Sequence, residues 1–114
     1  MISAAVFGHV EVMRLLIGKG SKVNVLDNNR MSPLLCALQN SRMECAELLI
    51  NSKADLNIRS KDLKTSLHFA TDSDCEHCIA LMLRNGAEEQ LDAGDQNELT
   101  PLHYAAMKQS SKVS

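Results

Sequence analysis

The tetrapeptide Cys75-Glu76-His77-Cys78 holds the residue types that could most directly do chemistry, because two thiols three apart beside an imidazole can hold a metal or exchange electrons. Register along the chain points elsewhere. Cys78 lies thirty-three residues after Cys45 and sixty-six after Val12, and the blocks around all three are apolar in the same phase. That makes Cys78 a buried-face residue, where a free cysteine acts as a small hydrophobe. No second ligand pair of matching spacing follows, and no βαβ pattern surrounds the motif. Metal or redox function through Cys75 and Cys78 stands as an alternative only, and no cofactor or metal is expected. His68 and His103 occupy one position in two copies of a motif, which suits an architectural duty. Asp, His and Ser all occur, yet none stands in a nucleophile elbow or a glycine-rich phosphate loop, so the chain is not read as an enzyme.

The elements that must position these residues follow from Thr100-Pro101-Leu102-His103-Tyr104-Ala105-Ala106. Thr100 can cap a helix with its hydroxyl, and Pro101 suits the first helical position, where its missing N–H costs little. Leu102, Ala105 and Ala106 fall on one face. Thr65-Ser66-Leu67-His68-Phe69-Ala70 copies this start thirty-five residues earlier, and Ser32-Pro33-Leu34-Leu35-Cys36-Ala37 thirty-three before that. A second apolar block also recurs at thirty-three: Glu11 to Ile17, Glu44 to Ile50, His77 to Leu83. Two unlike segments in fixed order at one period predict a solenoid of stacked helix pairs.

The period and the Thr-Pro-Leu-His-x-Ala pattern make the chain resemble the ankyrin-repeat family over nearly its whole length. The resemblance implies an all-α solenoid of helix-turn-helix pairs joined by projecting β-hairpin-like loops, or fingers, at about a right angle to the helices. It also implies a module for binding other proteins.

Composition agrees. A chain of 114 residues, 45% hydrophobic and only 3% aromatic, suits a core of aliphatic and small side chains between close helices. A formal charge of −2 with no basic stripe gives no general attraction to nucleic acid or acidic lipid. His9, Glu11 and Arg14 interrupt the apolar start, so neither a signal peptide nor a membrane span fits. The expectation is an intracellular chain, cytoplasmic with a nuclear place open, monomeric, and carrying four reduced thiols.

Taken in order, residues 1–24 read as a partial repeat, 25–57 and 58–90 as full repeats, and 91–114 as the hairpin and first helix of a further one, the whole expected to be part of a longer array. Leu16 and Leu49 belong to the predicted core. Ser41, Asp74 and Lys53 stand where glycine would be usual; a left-handed Lys53 would cost about 1 kcal/mol or more relative to glycine. At the finger tips the family often has glycine where this chain has Arg30, Leu63 and Glu98. The preceding Asn29, Asp62 and Asn97 are expected to make the turn instead, because Asn and Asp tolerate positive φ.

Ankyrin partners are gripped by finger tips and by the exposed side of first helices. The matching positions are Asn28, Asn29 and Met31; Lys61, Asp62 and Lys64; Gln96, Asn97 and Leu99; and the helix positions Gln39, Asp72 and Lys108. They vary between repeats while the scaffold agrees, as a recognition surface requires. Asn24 and Asn57 match the family's loop-tying asparagine and are candidates for hydroxylation; Gln90 in the third copy is expected to lose both roles. Glu88, Glu89, Asp92, Asp95 and Glu98 make the third finger acidic, either a solvated loop or a dock for a basic segment. A passive spacer inside a larger channel, kinase or scaffold protein is the other alternative.

Overall fold

Three first-helix starts in this chain are fixed by side chains that accept orphan backbone N–H groups. In a computed structural model describing residues 2–113, with side chains for 2–107, Ser32 Oγ accepts from the Leu35 N–H at 3.3 Å and Pro33 opens α3 (Pro33–Gln39). Thr65 and His68 form a reciprocal box at the start of α5 (Ser66–Asp72). The Thr65 hydroxyl accepts from the His68 N–H, and His68 Nδ1 accepts from the Thr65 N–H at 3.0 Å. The remaining helices are α1 (Ile2–Phe7), α2 (Val10–Gly18), α4 (Met43–Asn51), α6 (Glu76–Arg84) and α7 (Pro101–Val113), with a 3-10 helix at Ala87–Asp92.

The first helices α1, α3, α5 and α7 pack side by side in one layer, and the second helices α2, α4 and α6 in another. The result is an elongated stack, 45 × 25 × 24 Å, an ankyrin-type solenoid whose fingers form no strand among the described residues. Its core runs between the layers through Met13, Leu34, Leu38, Leu49, Leu67 and Met82, all fully buried. Cys45 and Cys78 are buried as expected, but their counterpart Val12 is exposed, and Leu15 is 65% exposed while Leu16 is half-buried. Among the described residues, no helix packs on that outer side of α2.

Reversal of the chain depends on residues in the left-handed region. Positive φ recurs three times per repeat: at Gly8, Ser41 and Asp74 between paired helices; at Gly20, Lys53 and Gly86 after second helices; and at Arg30, Leu63 and Glu98 in the fingers. Lys53, with φ of 65°, sits in a Schellman cap in which its own N–H bonds to the Ile50 carbonyl and the Ala54 N–H to that of Leu49. The finger turn corrects the sequence reading, because Asn29, Asp62 and Asn97 stay out of the positive-φ region. Each finger makes a turn closed by a bond from Arg30, Leu63 or Glu98 N–H to the carbonyl three residues back, and the left-handed residue follows at the end of that turn. The Asp27 carboxylate secures the first by accepting from the N–H groups of Asn29 and Met31.

Leu49→Ala should lower the free energy of unfolding in urea by about 2–5 kcal/mol, and Leu16→Ala by less because it is only half-buried. Lys53→Gly should raise it by about 1 kcal/mol. Unchanged stability in Leu49→Ala would show the core to be misassigned.

Candidate interaction surface

Adjacent fingers are joined by backbone. The Lys61 N–H donates to the Asn29 carbonyl and the Gln96 N–H to the Asp62 carbonyl, both at 2.9 Å, so neighbouring tips hold a fixed register. His68 adds a second link. With Nδ1 engaged by Thr65, its Nε2 donates to the Leu99 carbonyl at 2.7 Å, at the base of the next finger. The His68 ring also meets Tyr104 edge to face at 5.1 Å. Burial lowers the His68 pKa from its ordinary value, as do Arg59 and Lys64, against the opposing pull of the Leu99 carbonyl and Asp95. His103 repeats the Thr100 box, with its Nδ1 accepting from the Thr100 N–H at 3.0 Å.

Asp95, expected to be one charge of an acidic finger, is instead buried at the finger's base. It accepts from the N–H groups of Asn97 and Leu99 and from the Tyr104 hydroxyl at 2.6 Å. Burial opposes its charge, but these bonds outweigh that and hold its carboxyl below the usual range. Burial and the Asp95 carboxylate push the Tyr104 hydroxyl well up. Glu88, Glu89, Asp92 and Glu98 remain exposed.

Between the first two fingers and the first helices runs a groove of about 560 Å³. Asn29, Gln39, Lys61, Asp62 and Lys64, five of the twelve candidate positions, line it together. Met31 also reaches it but is only 7% exposed, which corrects its reading as a surface residue: its side chain belongs to the core. Asn28, Asp72, Gln96 and Asn97 are exposed outside the groove, and Leu99 is half-buried under the third finger. Lys108 lies on α7 with its side chain outside the described residues.

Sequence reasoning missed Cys36 and Phe69, which form part of the groove floor. With Tyr104 they occupy the position directly after the motif histidine, recurring at thirty-three and thirty-five residues, and that periodic variability was a readable signal. Lys64 Nζ lies 5.7 Å from the Phe69 ring centroid and 6.0 Å from that of Tyr104, a cation held over two aromatic faces.

The loop-tying residues behave differently from expectation. Asn24 Oδ1 accepts from the Asp55 N–H at 2.7 Å, reaching the next repeat, and Asn57 Oδ1 accepts weakly from Gln90; both asparagines are exposed. Gln90 keeps the tying role. Its longer side chain is buried, donates to the Leu56 carbonyl and accepts from the Ser66 hydroxyl at 2.9 Å.

The cysteines also depart in part. Cys75 caps α6 and Cys78 follows within its first turn, placing their Cα atoms 5.4 Å apart and pairing the two sulfurs within reach of a disulfide, where the sequence reading expected separate thiols. Cys36 and Cys45 are free and buried, and burial pushes the Cys36 thiol up to about 11, with Asp27 adding to the rise. Among the described residues, no helix is long and apolar enough to cross a membrane.

Comparison with known proteins agrees with this architecture. The family model for ankyrin repeats in three copies matches residues 1–92 and again 52–114. Mouse inversin is 33% identical over 99 residues, covering 85% of this chain and 9% of its own length. Human ankyrin repeat and SOCS box protein 16 is 36% identical over 101 residues, covering 89% and 22% respectively. The Drosophila transient receptor potential cation channel subfamily A member 1 is 29% identical over 115 residues, covering 90% and 9%. The chain therefore spans less than a quarter of each of these relatives.

Because His68 is held neutral in the fold, its unfolded form binds the proton more readily. Its contribution to stability should be fully present above the ordinary imidazole value of 6.5 and be lost progressively as pH falls from there through the lower value it has in the fold. His68→Leu, which copies the residue found at Leu35, should melt lower at neutral pH but lose less on acidification. An equal acid-side slope in both proteins, measured by thermal unfolding, would exclude this assignment.

Proposed function

The chain belongs to the ankyrin-repeat family, and from that premise we propose that it grips a partner protein in the groove between its first two fingers and its first helices, without chemistry on the partner. Ankyrin repeats are in general modules for protein–protein interaction and are typically not catalytic. The observation that carries the reading is the groove itself. Five of the variable positions, Asn29, Gln39, Lys61, Asp62 and Lys64, converge on one concavity whose backbone is fixed by the Lys61–Asn29 bond between fingers. A preformed, polar-walled groove spares a partner the cost of ordering it. We further propose that the chain acts inside the cell, in the cytoplasm or nucleus, as a monomer.

The passive spacer reading draws on the small share of each relative that the chain covers. The two readings part on one experiment. Gln39→Arg with Lys64→Glu should remove at least one protein that the wild type captures from cell extract, in quantitative mass spectrometry, while its melting curve stays cooperative. Identical capture by both proteins would favour the spacer.

A further inference from the structure

The same two fingers enclose a second concavity, of about 640 Å³, which no residue of a first helix lines. Its walls combine three apolar side chains, Leu26, Ile58 and Leu63, with three cations, Arg30, Arg59 and Lys61. It shares only Ser60 and Lys61 with the groove described above. Leu26 is 44% and Leu63 48% exposed, on the most protruding part of the chain, where solvation alone would favour polar residues. Leu63 also carries a left-handed backbone, φ 64°, which strains a branched bulky side chain and not a glycine. Neither burial nor turn geometry calls for leucine there.

The charges point the same way. Among the described residues, Arg30, Arg59 and Lys61 form no ion pair with a carboxylate. The one acid on the wall, Asp55, has an oxygen engaged by the Asn57 N–H. In the third finger the counterpart of Leu63 is Glu98, and exposed Glu88, Glu89 and Asp92 lie on the 3-10 helix that leads into it, so the cationic character stops at the second finger.

We infer that this outer flank is a second docking site, fitted to a short acidic peptide segment of a partner protein that carries a large apolar side chain between Asp or Glu residues. The apolar side chain sits against Leu26, Ile58 and Leu63 while its flanking carboxylates meet Arg30, Arg59 and Lys61. The acidic third finger repels the same segment and fixes where it stops. The Lys61 N–H bond to the Asn29 carbonyl holds the two walls in place before binding.

The test is an NMR titration of the isotope-labelled chain with a synthetic peptide bearing one Leu or Phe flanked by Glu, beside a version with Gln for every Glu. At low salt the acidic peptide should shift the amides of Arg30, Ile58, Arg59 and Leu63 and leave those of Gln39, Asn40 and Phe69 in place. The Gln version should bind about tenfold more weakly, as should the acidic peptide to Leu63→Gly or to Arg59→Gln. Leu63→Gly should at the same time melt higher, since it relieves the backbone, so that weaker binding is not loss of fold. Absence of shifts on the flank, equal affinity for the two peptides, or shifts confined to the first-helix groove would each overturn the assignment. Because Gln39→Arg leaves the flank intact, it should not alter the titration, and that separates this site from the groove proposed above.

Discussion

The first helices α3 and α5, of seven residues, and the second helices, of nine, are too short to hold themselves in water. Each survives by burying its apolar face against its partner and against the same helix of the next repeat. Leu34, Leu38, Leu49, Leu67 and Met82 supply that contact, and every other feature depends on it. The constraint is local and repeated, so it leaves the fingers and the outer side of the first helices free to differ.

Backbone strain is the cost of this economy of length. Among the described residues, nine turn positions take positive φ and only three carry glycine. At the turns between helices the strain is offset by carbonyls that would otherwise go unbonded, as at Ser41 and Lys53, whose N–H groups bond to Leu38 and Ile50. At the finger tips the residues tolerated in that conformation are Arg30, Leu63 and Glu98, a cation, an apolar side chain and an acid. The scaffold thus displays three different chemistries from one backbone shape.

Much of the fold was legible because the sequence repeats it. The caps Ser32 and Thr65, the buried Leu49 and the left-handed Lys53 stand where periodicity put them. The surface was less legible. Residue type suggested that Asn29 or Asp62 would turn the fingers, but the position within the turn decides that, and it falls one residue later. Met31 and Asp95 sit in exposed-looking loop sequence, and only the folded fingers reveal that they are buried. The reach of a glutamine compared with an asparagine, one methylene, let Gln90 keep a role that alignment alone would have denied it. The Cys75–Cys78 pair turned on local geometry at a helix start, which phase along the chain does not report.

His68 reaches forward, to a carbonyl thirty-one residues later in the chain. A ribosome delivers the histidine first. At about 5–20 residues per second the imidazole waits about 2–6 s for Leu99 to be made, and longer for it to clear the exit tunnel. Through that interval α5 stands without its forward clasp, open to whatever nascent-chain chaperone is at hand. The direction of the bond therefore orders this step of assembly in time, α5 being locked by the finger translated after it.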